Sequence, residues 1–189
     1  MTTIAIFVSG SGTNCENIIR YFSGNADVRI GLVVSNRSDA YALVRAERLG
    51  VPSAVLPKAD FVRPEKTQPL LHGYGIDFIV LAGFLLLVPT YLIEAYPRRI
   101  INLHPALLPK YGGKGMYGHH VHEAVKAAGE TETGITIHYV NAEFDHGEVV
   151  AQFRTPLLPT DTVADIEKKI HDLEQAHFPK VIESVICTK

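Results

Sequence analysis

The chain reads as an α/β protein, a mainly parallel, twisted sheet with helices on both faces. Three observations point there. Along the first hundred residues, short β-branched runs alternate with stretches whose apolar residues recur at helical spacing, the pattern of βα units feeding a parallel sheet. The runs, such as Thr3–Val8 (TIAIFV) and Asp77–Leu81 (DFIVL), are almost continuously apolar, as strands covered on both faces are. Their ends are marked by Gly, Ser and Asn, which break regular structure and open loops.

The elements follow in order. Thr3–Val8 is a strand ending in Ser9-Gly10-Ser11-Gly12-Thr13-Asn14, and a helix follows with Ile18, Ile19, Tyr21 and Phe22 on its inner side. Val28–Val34 is a second strand. Ala40–Leu49 is a helix, with Gly50 just past its end as a C-terminal cap. Ser53–Leu56 is a short strand. Residues 62–74 are helical but broken by Pro64 and Pro69. Asp77–Leu81 is a buried strand, Pro89–Tyr96 a short helix stopped by Pro97, and Ile100–Leu103 the next strand. The last third changes character. Gly134–Val140 (GITIHYV) alternates, and Glu148–Phe153 (EVVAQF) reads as its hairpin partner across the polar turn 141–147. Thr160–Val185 is a long helix that Thr160 or Asp161 can cap and that Pro179 is expected to kink. Repeats, low-complexity segments and linkers are absent, so residues 1–189 are expected to form one domain.

Composition narrows the function. A chain of 189 residues hides roughly 70% of its unfolded surface on folding. The net charge is −2 with histidines neutral, and acids and bases are interspersed. No basic stripe asks for nucleic acid or an anionic membrane. Met1–Val8 reads as a strand rather than a secretory signal, and no apolar run approaches the ~20 residues that span a bilayer. Cys15 and Cys187 stand far apart without a CxxC pair, so neither a disulfide framework nor a cysteine metal site is expected, and a reducing, cytoplasmic setting fits.

Five places carry candidate chemistry. Ser9–Asn14 sits between a strand and a helix, where glycines let backbone N–H groups converge on an anion. A dinucleotide loop needs glycine where Cys15 stands and an acid where Ser35 and Asn36 stand, and a Walker lysine is missing. A single phosphate is therefore the fitting guest. Asn102 and His104 lie two apart on a strand and share one face, at the carboxyl edge where open α/β sheets bind ligands. Asp145 lies in a turn whose composition is also ordinary turn chemistry. His119, His120 and His122 do not match a zinc motif, and no metal is expected. His138 alternates along a strand and reads as core or as a support behind the site. Val80–Val88 (VLAGFLLLV) is either core or an apolar wall for a flat ligand.

Taken together, SGSGTN at 9–14, VVSN at 33–36, VLAGF at 80–84, INLHPALLPKY at 101–111, GITIHYV at 134–140 and DHGEVVAQ at 145–152 resemble the folate-dependent phosphoribosylglycinamide formyltransferases, from about Ile4 to Ile186. The resemblance implies a mixed seven-stranded Rossmann variant. It implies transfer of a formyl group from 10-formyltetrahydrofolate to the amine of phosphoribosylglycinamide in purine synthesis. It assigns catalysis to Asn102, His104 and Asp145. Ser11, Gly12, Thr13 and Asn14 would hold the substrate phosphate and Glu174 the ribose. Leu85, Leu86, Leu87, Val88, Val140 and Asn102 would line the folate, with Arg63 matched to a basic residue near its tail. A homodimer is left open.

The chain departs from the family in places. Leu86 stands where many members carry arginine, and KYGGKGMYGHH after Pro109 is about four residues longer than the short family form. Formyltetrahydrofolate hydrolases share the trio, and methionyl-tRNA formyltransferases share the core. The start at the first strand and the absence of a basic C-terminal domain count against both. A catalytically inactive folate-binding module is a further alternative, which the intact trio disfavours. An anionic Asp145 near His104 would raise its pKa and favour the imidazolium, and which proton His104 carries at the start of turnover is left open.

Overall fold

The computed structural model describes residues 1–187. Alternation of short apolar runs and amphipathic stretches produces β1 (Thr2–Val8), α1 (Thr13–Tyr21), β2 (Val28–Ser35), α2 (Tyr41–Arg48), β3 (Ser53–Val55), α3 (Lys58–Phe61), α4 (Pro64–Gly73), β4 (Phe78–Leu81), α5 (Thr90–Ala95) and β5 (Ile100–His104). The remainder is α6 (His119–Ala127), β6 (Glu132–Tyr139), β7 (Val149–Pro156) and α7 (Val163–Cys187). The strands form one seven-stranded sheet in the order β3-β2-β1-β4-β5-β6-β7. The first five are parallel, and β6 and β7 add an antiparallel hairpin beside β5.

Strand alternation splits the core in two. Ile4, Ile6 and Val8 point into a layer closed by α1, α2 and α7. Ala5 and Phe7 point into the opposite layer, closed by Phe61, Leu71 and Leu92 of α3, α4 and α5. The chain leaves β1 toward β2 on one side and β4 toward β5 on the other. The carboxyl ends of β1 and β4 therefore flank the crevice where such sheets take ligands.

Three local expectations are corrected. Tyr21 is exposed, and its O–H donates to Glu183 at 2.6 Å; Cys15, Ile18, Ile19 and Phe22 hold that helix to the core. Pro64 opens α4 rather than breaking it, because a first-turn residue needs no intrahelical N–H partner, and Pro69 sits inside α4 without ending it. The cap of α7 is Thr162, not Thr160 or Asp161. Thr162 Oγ1 accepts from Asp165 N–H (3.2 Å) while Asp165 Oδ2 accepts from Thr162 N–H (2.8 Å), a reciprocal capping box. Asp161 is used otherwise, taking the Leu158 N–H and pairing with Lys169.

Pro179 lies buried inside α7, and the helix continues past it to Cys187. Proline has no N–H to give the carbonyl four residues back, which belongs to Gln175. Asn17 of α1 supplies the donor instead, its Nδ2 reaching Gln175 O at 3.0 Å. The lost helical bond becomes a tie between two helices. Asn17→Ala should therefore cost about 1 kcal/mol. In a Pro179→Ala background, where Gln175 O regains a helical donor, that cost should shrink. Urea unfolding of the four-member cycle measures the difference.

Candidate active site

Both edges of the crevice are built by local rules. Gly12 ends the first loop in the left-handed region (φ 74). A side chain there would put Cβ 2.4 Å from Ala42 Cβ, so only glycine lets α2 approach. Ala42 N–H donates to Gly10 O (3.2 Å), and Arg45 Nε donates to Ser11 O (2.8 Å) while its guanidinium pairs with Glu16. The loop is thus held from behind by its carbonyls. The first N–H groups of α1 have no intrahelical acceptor and no side-chain cap, and the loop borders the cavity, an arrangement suited to an anion.

Ser9 joins the two edges. Its N–H donates to Gly83 O (3.0 Å), its Oγ donates to Asn36 Oδ1 (2.6 Å), and the same Oγ accepts the Leu85 N–H (3.0 Å). The loop after β1 is therefore tied to the loop after β4. That second loop exposes Leu85 and Leu87 and buries Val88. All of Leu85–Val88 and Val140 line one end of a cavity of about 1380 Å³. Gly12, Thr13, Asn14 and Glu174 line the other end, and Ser11 borders it too. Asn14 Nδ2 donates to Glu174 Oε2 (2.8 Å), and Gln175 Nε2 donates to Asn14 Oδ1 (2.9 Å).

Between the two ends stand Asn102, His104 and Asp145. Asn102 and His104 share a face of β5, as the period of two requires. Asp145 arrives from the turn between β6 and β7 in the left-handed region (φ 58), which costs an L-residue about 1–2 kcal/mol. Its Oδ2 accepts the Gly113 N–H (3.0 Å) and lies 3.4 Å from His104 Nδ1. Its Oδ1 lies 3.4 Å from Asn102 Nδ2 and 3.6 Å from His138 Nε2.

Carbonyl partners assign the ring protons, because a carbonyl only accepts. His104 Nε2 faces Tyr111 O at 2.7 Å, so Nε2 carries the hydrogen and Nδ1 is the position that titrates. His138 Nδ1 faces Tyr139 O at 2.9 Å, so in the neutral ring Nε2 is an acceptor. Asn102 Nδ2 stands 3.1 Å from it, which orients the Asn102 amide with its NH₂ toward His138 and Asp145. The sequence placed His138 behind the site; its fully buried ring is the group that sets which end of Asn102 is a donor.

Asp145 pulls the His104 pKa up, as expected, but burial acts against it. Burial pushes the His104 pKa below the ordinary histidine value, and the opposing pull of Asp145 and the Tyr111 carbonyl does not make up the difference. Asp145 goes the other way from its own burial. Burial alone would raise its pKa, but the His138 contact, the nearby His104 and the Gly113 N–H outweigh that and hold it low. The resting site is a carboxylate beside a neutral imidazole.

Other candidates separate. The longer segment after Pro109 folds over the trio: Gly113–Gly118 border the cavity. A Cβ at Gly112 would crowd Leu108 Cδ2 (2.5 Å) and Asp145 Cβ (3.3 Å). Arg63 does not reach the cavity. It is exposed and paired with Glu65 at 2.8 Å, while Lys58 and Val62 hold the lining positions nearby. Leu86 lines the cavity, half-buried. Cys15 is packed in the core, its thiol pushed up to about 12 by burial. His119 and His120 pair with Glu123, and His119 also with Glu167. Among the described residues no group of three metal-type ligands converges, and no helix is long and apolar enough to cross a membrane.

An anion loop, an apolar wall and a donor–imidazole–carboxylate set, meeting at the carboxyl edge of a mainly parallel sheet, define an α/β enzyme that transfers a group between two bound molecules. The chain belongs to the formyl transferase family, whose model matches residues 2–182. It is 39% identical over 188 residues to the chloroplastic phosphoribosylglycinamide formyltransferase of Arabidopsis thaliana, covering 96% of this chain and 64% of that protein. It is 35% identical to the Haemophilus influenzae phosphoribosylglycinamide formyltransferase, covering 97% of this chain and 86% of the other. The crystal structure of the Streptococcus pneumoniae phosphoribosylglycinamide formyltransferase superposes with a TM-score of 0.86 at 35% identity, covering 98% of this chain and 99% of that one. The chain spans less than two thirds of the length of the chloroplastic relatives it matches.

Burial makes stability depend on pH. His104, His122 and His177 are held below the ordinary value by burial, while His171 is raised, chiefly by its hydrogen bond to Glu174. Unfolding returns the first three to about 6.5, so the unfolded chain binds more of their protons as pH falls through that value. Their contribution is complete above about pH 6.5 and is lost below it; His171 acts in the opposite sense. The urea midpoint should fall between pH 7.5 and 5.5, and His104→Gln should flatten that dependence.

Proposed function

We propose that the chain transfers the formyl group of 10-formyltetrahydrofolate to the amine of 5-phosphoribosylglycinamide, a step of purine synthesis, as a single cytoplasmic domain. The observation that carries this reading is the meeting of Asn102, His104 and Asp145 in one cavity that the anion loop and the apolar wall also line. The cavity volume supports two ligands, since about 1380 Å³ exceeds the roughly 300–1,000 Å³ of a site for one drug-sized molecule. The Leu85–Val88 loop and Val140 suit the flat apolar head of the folate, which brings the formyl carbon as the electrophile. The loop at 11–14 and Glu174 suit the phosphate and ribose of the acceptor.

Each residue then has a task. The loop and Glu174 hold the acceptor so that its amine faces the formyl carbon, and such orientation can account for roughly 7–11 kcal/mol of barrier. Asn102 turns an N–H toward the formyl oxygen as negative charge develops there. His104, neutral and open at Nδ1, accepts the proton that the attacking amine sheds. Asp145 steadies the imidazolium that forms and relays the proton through water to the folate nitrogen, whose bond to the formyl carbon breaks as the tetrahedral adduct collapses. This refines the starting state: His104 begins as a base rather than as a donor.

Formyl transfer to phosphoribosylglycinamide should fall about 10²–10³-fold in Asn102→Ala and roughly 10²–10⁴-fold in His104→Ala, with the fold intact by circular dichroism. Near-normal rates in both, or formyl-folate hydrolysis that ignores the acceptor, would remove the reading. In the wild type, kcat/KM should be flat above about pH 6.5 and decline as acid protonates His104. A profile that instead rises toward acid would contradict a neutral starting imidazole.

A further inference from the structure

His122 lies on the inner face of α6, next to the segment that is longer than in the short family form. It is 4% exposed and borders the cavity. Its Nδ1 is sealed from solvent with no hydrogen-bond partner among the described residues, and the ring makes no other hydrogen bond. A neutral imidazole carries one donor and one acceptor. Leaving the sealed Nδ1 unused is costly, and natural interiors rarely tolerate it without a reason; Nε2 is not sealed and is the nitrogen that a ligand in the cavity can reach. Packing alone would be met by leucine or phenylalanine. Glu167 and Glu174 of α7 border the same cavity and act on the charge of the ring. Burial nevertheless keeps it toward the neutral form.

That surrounding selects the ligand chemistry. A phosphate here would meet the carboxylates of Glu167 and Glu174, and a cation would find no ligand set. A hydroxyl group fits, because it donates to a bare ring nitrogen or accepts from a protonated one while its neighbour on the sugar turns to Glu174. We propose that His122 is a substrate-binding residue that hydrogen-bonds a hydroxyl of the acceptor's pentose, forming with Glu174 a diol clamp between the phosphate loop and the reacting amine. The identity of the pentose rests on the function proposed above.

Calorimetry with ribose 5-phosphate and with inorganic phosphate tests the assignment on wild type, His122→Phe and His122→Gln. The phenyl ring keeps the shape and removes both nitrogens; the amide keeps a donor and an acceptor. For His122→Phe, the affinity for ribose 5-phosphate should drop roughly five- to tenfold, the worth of one neutral hydrogen bond. Inorganic phosphate should bind unchanged, the ligand-free Tm should hold or rise, and His122→Gln should recover most of the loss. Unchanged ribose 5-phosphate affinity, or an equal loss for both probes, would overturn the proposal. Should the phenyl variant not fold, His122→Leu carries the same expectations. The probes contain neither amine nor formyl donor. A wild-type chain that fails to transfer formyl therefore overturns the reaction, while the ribose 5-phosphate comparison still decides His122.

Discussion

The site depends on one buried carboxylate. Asp145 is reached through a backbone conformation that an L-residue does not favour, and four groups from three other segments converge on it: the Gly113 N–H, His104 Nδ1, Asn102 Nδ2 and His138 Nε2. A carboxylate taken out of water is costly unless its oxygens are met by donors or positive charge. The Gly113 N–H and the Asn102 amide offset part of that cost, and each is positioned by doing so. The loop after Pro109 is drawn over the strand edge through Gly113. His104 is left with a single titrating nitrogen, since Tyr111 O occupies the other. Asn102 is oriented because His138 offers it only an acceptor.

Around that centre, the two substrate ends are held in one frame. Ser9, in the loop after β1, is hydrogen-bonded to Asn36 after β2 and to Gly83 and Leu85 after β4, so the glycine-rich loop and the apolar wall cannot drift independently. On the far side α1 and α7 are joined through Asn14, Glu174 and Gln175, and again through Asn17 and the carbonyl that Pro179 leaves without a helical donor. Proline in a helix is usually read as a weakness. Here the carbonyl it frees becomes the acceptor that ties α1 to the helix bearing Glu174. Group transfer between two bound molecules needs such a frame, because misplacement of about 1 Å can cost 10²-fold in rate.

The strands were legible in the sequence because their periodicity is local: β1, β2, β4 and β5 fall within a residue or two of their apolar runs. So was the common face of Asn102 and His104. The errors arose where a partner distant in sequence decides the outcome. Thr160, Asp161 and Thr162 are all adequate caps on paper, and Thr162 takes the role because Asp165 reciprocates while Asp161 is drawn to Leu158 and Lys169. Tyr21 sits at the same spacing as Phe22, but its hydroxyl finds Glu183 at the surface. Arg63 has a carboxylate two residues away, and that local pair takes it from the cavity.

The sequence by itself determined the doubly wound α/β class, the anion-type loop after the first strand and the polar pair at the end of β5, since each follows from spacing within a few residues. The motifs and their order carried the family. Tertiary structure alone decided that Asp145 and His138 meet Asn102 and His104, that the extended loop closes over them, and that His122 is left unpartnered beside Glu174. It also set burial against Asp145 in the balance that holds His104 toward its neutral form. The physical reason is the same in each case: burial and through-space contact belong to the assembled chain, and where desolvation outweighs a neighbouring charge the protonation state cannot be read from the residues in a row.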